Sequence, residues 1–118
     1  MTYVAYTLIT MNKKLSPLLS KYIKAKNAHD SDTLVSCFTD NAIVYDEGEE
    51  IKGKEAIKQW ANNVFKKYKL TVKVTDIAET NKETILKTLV SGTFPGSPLE
   101  IKYHITLSNG KIATLKSD

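Results

Sequence analysis

Tyr22 to Asp46 reads YIKAKNAHDSDTLVSCFTDNAIVYD. It holds the end of one helix, a break, a second short helix, a polar turn and the start of a strand. Upstream, Leu15, Leu18, Leu19, Tyr22 and Ile23 recur at three- and four-residue spacing, with Lys21 and Lys24 on the other side. That spacing predicts an amphipathic helix over about 15–27. Pro17 suits only its first turn, where a missing backbone N–H leaves no gap in the helical ladder. Asn27-Ala28-His29-Asp30 interrupts the pattern. Asp30 or Ser31 then caps a short helix bearing Leu34, Val35, Cys37 and Phe38, because a short polar side chain can accept from the free N–H groups of the first turn. Thr39-Asp40-Asn41 reads as a polar turn and Ala42 to Asp46 as a short strand.

Beyond Asp46 lies an acidic turn, Glu47-Gly48-Glu49-Glu50. From Gly53 to Tyr68 the apolar positions Ala56, Ile57, Trp60, Ala61, Val64, Phe65 and Tyr68 form a helical stripe. The period then becomes two. Leu70, Val72 and Val74 alternate with polar residues, and a turn at Glu79 to Lys82 leads to a long strand from Thr84 to Phe94. Pro95 to Pro98 breaks the chain. Ile101, Tyr103, Ile105 and Leu107 alternate with Lys102, His104, Thr106 and Ser108, and Asn109-Gly110 signals a tight hairpin before a last strand at Ile112 to Leu115. Helices ahead of a run of consecutive strands predict an α+β fold with about three N-terminal helices on an antiparallel sheet. The long strand is apolar on both sides, with Ile85 and Leu89 on one face and Leu86 and Val90 on the other. One face is expected to meet the helices and the other a second copy of the chain, giving a homodimer through the sheet face.

The chain of 118 residues is of single-domain size. A hydrophobic share of 42% and a charged share of 25% suit a globular protein with a sizeable core. Residues 12–118 are assigned to this domain and residues 1–11 to an N-terminal arm. The arm has no basic leader and is too short for a membrane span, and Met11 is an alternative start. The net charge of +4 comes from scattered lysines without a single arginine. Such lysines solvate helix faces more readily than they read nucleic acid, so neither nucleic-acid nor membrane partners are expected. One cysteine, Cys37, cannot close an internal disulfide, which favours a reducing, cytoplasmic setting. Neither phosphate loop nor dinucleotide fingerprint occurs. His29 and His104 stand apart without ligand partners at metal spacing, so no metal or other cofactor is expected.

The order of these motifs resembles the SnoaL-like and ketosteroid-isomerase-like members of the nuclear transport factor 2-like, or cystatin-like, superfamily. The match rests on Tyr22 in a helix, Asn27 and Asp30 in the turn, Phe38 ending the short helix, and Asp40-Asn41-Ala42 before a strand. Gly53 to Ile57 and Ser108 to Ile112 match the family's next helix and last hairpin. The resemblance implies a cone, with the sheet curled around the long helix and an apolar pocket open at one end. This superfold hosts enzymes, binding modules and dimerisation modules alike.

By the same resemblance, Tyr22 stands where the isomerases place an oxyanion-donating tyrosine, and Asp46 where they keep a general base. A phenol in a dry pocket stabilises a carbonyl oxygen as it becomes an enolate, and a carboxylate at the rim shuttles the proton. The handed-down third group, a protonated aspartate, is absent. Its inward position is Tyr103, which can still donate. Each residue also has a plain reading: Tyr22 as a core aromatic, and Asp46 as part of a solvated acidic run. Trp60, Phe38, Val44 and Val64 are expected to contact a small hydrophobic ligand, with Phe65 beside them. Three functions are compatible with this pattern. One is an isomerase- or cyclase-like enzyme acting on a ketone, another is a non-catalytic ligand-binding domain, and the third is a dimerisation module.

Overall fold

The computed structural model describes residues 15–118. The expected arm, Met1 to Met11, lies outside the described residues. Helix α1 spans Pro17–Asn27 and α2 spans Ser31–Ser36. Strands β1 (Phe38–Asp46) and β2 (Glu49–Lys52) follow, then α3 (Lys54–Tyr68). Four strands complete the chain: β3 (Thr71–Glu79), β4 (Thr84–Ser91), β5 (Leu99–Ser108) and β6 (Lys111–Ser117). All six strands join one sheet in the order β2-β1-β6-β5-β4-β3. The three helices pack on it, giving the α+β architecture that the sequence predicts.

Local chemistry explains the helix starts. The Ser16 hydroxyl accepts from Leu19 N at 3.2 Å, and Pro17 occupies the first turn. The Asp30 carboxylate accepts from Thr33 N at 3.1 Å and caps α2. Hydrogen bonds from Thr33 hold the Asp30 carboxyl below the usual carboxylate range. Helix α3 buries Ile57, Ala61 and Phe65, with Trp60 and Val64 half-buried beside them, whereas Ala56 faces solvent.

Three features differ from the sequence expectation. First, the sheet is mixed: β1 runs parallel to β6, while every other pair is antiparallel. The first described strand thus joins the last, which local alternation cannot reveal. Second, Thr39-Asp40-Asn41 lies inside β1 rather than before it. The register against β6 jumps between Phe38 and Ile43, so the polar triplet is a bulge in the strand. Third, the acidic run is a hairpin. Glu47 and Gly48 take φ of 51° and 80°, and Asp46 pairs with Glu49 across the turn. Two central residues at positive φ define the tight turn whose twist matches the flanking strands.

The core fills the space between helices and sheet. Phe38, Ile57, Leu86, Ile105 and Ile112 are fully buried. On β4, Thr84, Leu86, Thr88 and Val90 point inward, and Ile85, Lys87 and Leu89 point outward. The buried Thr88 hydroxyl is satisfied by the Ile101 carbonyl at 2.8 Å.

Candidate functional site

A cavity of about 470 Å³ lies between the helical layer and the sheet. Its apolar wall includes Val44, Trp60, Val64, Phe65, Ile101 and Leu115. A volume of this size suits a small organic ligand. Among the polar residues lining the cavity are Lys26, Tyr103 and Asp46, with Glu47, Glu49 and Lys67 at exposed positions.

Lys26 is the residue that the sequence reading missed. Only 5% of its surface is exposed, although it is a lysine on a helix. Its Nζ donates to the Tyr22 hydroxyl at 3.3 Å and to the Tyr103 hydroxyl at 3.5 Å. The ammonium also lies over the Tyr103 ring, 4.5 Å from its centroid, and 5.5 Å from that of Tyr22. Helical geometry accounts for half of this arrangement, because Tyr22 and Lys26 are one turn apart on the same face of α1. The sheet supplies the rest: Tyr103 sits inward on β5, beside Leu86 of β4, and is 6% exposed. The signal was present in the sequence. Position 26 continues the buried stripe through Leu19, Tyr22 and Ile23, so the lysine falls on the core side of the helix.

Burial pushes the Tyr22 phenol above its ordinary pKa, with Lys26 pulling the other way. Tyr22 is therefore a neutral donor at neutral pH. For Lys26, burial alone lowers the pKa, whereas Tyr22 and Tyr103 raise it, and the balance lies upward. The electrostatic part of that upward pull needs an anion, so it acts fully only when a phenol, or a bound anion in its place, carries negative charge. Among the described residues, no carboxylate pairs with Lys26.

Asp46 ends β1 and lines the same cavity. Its Oδ2 accepts from the Trp60 indole N–H at 2.9 Å, which ties the strand end to α3. The carboxylate is thus held by a fixed donor, and Oδ1 is not involved in that bond. Glu47 and Glu49 flank it in the hairpin and reach the same cavity, but both are exposed.

The remaining predicted residues divide by position. Val44, Trp60 and Val64 lie in the cavity wall. Phe38, expected to touch ligand, does not reach that wall. It is fully buried behind Tyr22, with ring centroids 5.8 Å apart in an edge-to-face contact. Tyr22 is likewise outside the wall and meets the cavity through Lys26. Cys37 is buried, and burial raises its thiol pKa, so it is a poor nucleophile. His104 faces away from the cavity, between Glu83 at 3.2 Å and Asp118 at 3.3 Å. Among the described residues, no group of His, Cys, Asp or Glu is arranged to hold a metal ion.

A helical layer on a sheet, with Asp46 ending β1 at the cavity and Tyr22 of α1 buried behind Lys26, is the arrangement of the chain. The profile of the SnoaL-like domain family matches residues 19–115. The chain belongs to the SnoaL-like domain family. Among solved structures, it is similar to a candidate polyketide cyclase from Sinorhizobium meliloti at 29% identity and a TM-score of 0.85, covering 92% of this chain and 98% of that one. It also shares its fold with a protein of ketosteroid isomerase-like fold from Catenulispora acidiphila, bound to trimethylamine (13% identity, TM-score 0.78, 89% and 86% covered). An uncharacterised cystatin-fold protein from Novosphingobium aromaticivorans aligns at 22% identity and a TM-score of 0.72, over 89% of this chain and 99% of that one. No curated protein matches the chain. The last two likenesses bear on fold alone. Within this SnoaL-like domain, the buried Lys26 lies between the Tyr22 and Tyr103 hydroxyls, and Tyr103 stands where the resemblance expected an acid.

Proposed function

We propose that this SnoaL-like domain binds a small, mostly apolar carbonyl compound in its cavity and moves a proton on it, as an isomerase- or cyclase-like enzyme. The observation that carries this reading is one cavity walled by apolar side chains, with a hydrogen-bond donor cluster, Lys26 and Tyr103, and a fixed carboxylate, Asp46. In this reading Asp46 takes a proton from the carbon next to the carbonyl. The electron pair moves onto the carbonyl oxygen, and Tyr103 and Lys26 stabilise the enolate that forms. Tyr22 holds Lys26 in place. Returning the proton to another carbon completes an isomerisation. Attack of the enolate carbon on a second carbonyl of the same molecule closes a ring, with the proton ending on the new alkoxide. The likeness to a candidate polyketide cyclase supports the second outcome.

The test is deuterium incorporation from solvent next to the carbonyl of small ketones and 1,3-dicarbonyl compounds, followed by NMR. The wild-type chain should catalyse exchange. Asp46→Asn should lower the rate by at least about 100-fold. Its melting temperature should move by no more than a few degrees, because the Asn carbonyl can still accept from Trp60. Exchange that survives Asp46→Asn would remove Asp46 from the mechanism. Binding without any exchange by wild type would leave a non-catalytic ligand-binding domain.

A further inference from the structure

We infer that the cavity selects an anionic oxygen group, a carboxylate or an acidic enol, on an otherwise apolar molecule, and that Lys26 is the residue that receives it. This inference rests on the cavity being a ligand site, as proposed above.

The argument begins with a count of donors. A lysine ammonium has three N–H groups and no acceptor. Two of them are spent on the hydroxyl oxygens of Tyr22 and Tyr103. Among the described residues no other group takes the third, and it belongs to a side chain that lines the cavity. Because each phenol oxygen accepts from Lys26, each keeps its own O–H to donate. The Lys26–Tyr103 end of the cavity therefore offers donors to a ligand and carries one positive charge.

Charge balance supports the same conclusion. A buried ammonium without a carboxylate is costly, and folded proteins normally pair such a charge. Two phenols and their ring faces soften that cost but leave the net charge in place. A ligand carboxylate or enolate would supply the missing anion, in a dry environment where the pair is worth more than in water. A neutral ester or simple ketone would leave the ammonium uncompensated and gain less.

The acidic hairpin fixes the orientation. Asp46, Glu47 and Glu49 line the cavity as well, and the other lysine of the lining, Lys67, is exposed to solvent and already interacts with Glu47. A ligand anion placed beside these carboxylates would be repelled, so its charged end belongs at Lys26 and its uncharged portion near Asp46. For an acidic 1,3-dicarbonyl compound, this leaves the enolate oxygen on Lys26 and Tyr103.

Matched probe pairs test the inference: 2-naphthoate against its methyl ester, and 4-phenylbutyrate against its methyl ester, each titrated by NMR into wild type and variants. Wild type should bind each acid at least about tenfold more tightly than its ester, a difference of about 1.4 kcal/mol. Lys26→Met should abolish or invert that preference while retaining ester binding, and Lys26→Arg should partly restore it. Tyr103→Phe should weaken acid binding more than ester binding. If wild type binds the esters as tightly as the acids, the inference is overturned while the pocket stands. If neither member of either pair shifts the resonances of Val44, Val64 and Leu115, the pocket reading falls and takes the inference with it. Should Lys26→Met fail to fold, the acid-to-ester ratio in wild type still decides the matter.

Discussion

Tyr22 links the folding of this domain to its proposed chemistry, because one phenol is both core and site. Its raised pKa has a defined sign in stability. Below pH 10 the phenol is protonated in the folded and unfolded chains alike. Above the ordinary value of 10.0 the unfolded chain loses that proton while the folded chain keeps it. The unfolded state then binds fewer protons, so stability falls as pH rises through the folded value. Absorbance of tyrosinate, followed to high pH, should show a late-titrating phenol in wild type that Tyr22→Phe removes. The melting temperature of Tyr22→Phe should also decline less steeply above pH 10. A variant whose titration matches wild type apart from one ordinary phenol would contradict the assignment. Tyr22 and Tyr103 were legible as inward residues from periodicity and strand alternation. Lys26 was not, because lysine is so rarely buried unpaired that its place on the apolar stripe was read as solvent-facing. The site was readable by position but misread by residue type.

At the level of elements, the Asn27-to-Asp30 break has a structural purpose that its composition alone did not disclose. The Asn27 side chain donates to the Val72 carbonyl at 3.0 Å and accepts from the Val72 N–H at 2.6 Å. Among the described strands β3 lies at the end of the sheet order, so its outer backbone groups need a partner, and α1 provides one from its last residue. His29 adds a second link, bonding the Leu70 carbonyl at 2.8 Å and stacking on Phe65 at 4.8 Å. Asn27→Ala should therefore destabilise the domain by about 1–2 kcal/mol. Amide exchange at Val72 should quicken more than exchange within α3, and equal effects at both would argue against a local clamp. Gly92 fixes the other end of this region. A Cβ there would lie 2.5 Å from the Tyr68 carbonyl and 2.9 Å from Leu70 Cδ2. Gly92→Ala should destabilise by about 1–3 kcal/mol in denaturant unfolding, because backbone must shift to relieve the clash. Sequence alternation marked this strand but not the close approach. Turn chemistry behaved similarly. Asn109-Gly110 announced its hairpin, whereas Glu47-Gly48 adopts the same positive-φ pair without asparagine or aspartate to signal it. The parallel pairing of β1 with β6 was illegible for a different reason: it depends on where the chain returns after the other four strands, which no local window contains.

For the whole molecule, the outer face of the sheet is where a second copy is expected to dock. On β4, Ile85 and Leu89 point away from the helices and are only half-covered. Their neighbours across the sheet are mixed. Ile85 lies between Ala78 and His104, Lys87 between Asp76 and Lys102, and Leu89 between Lys73 and Glu100. Two apolar residues separated by a charged row would not hold an obligate interface, which is commonly larger and more apolar. They suit a modest two-fold contact, in which the residues around Leu89 of one copy meet their own equivalents and lysines can face carboxylates. The expected species is a homodimer that weakens with salt, since the charged row around Lys87 lies between the two apolar residues of the contact. Light scattering coupled to size exclusion should show wild type as a dimer at high concentration and Leu89→Lys as a monomer with an unchanged melting profile. Ile85→Lys should do the same, because it lies on the same face, whereas a charge at the exposed Leu107, near the end of β5, should not. A wild-type chain that stays monomeric at high concentration would remove the dimer without touching the cavity, because every residue of the proposed site comes from a single copy.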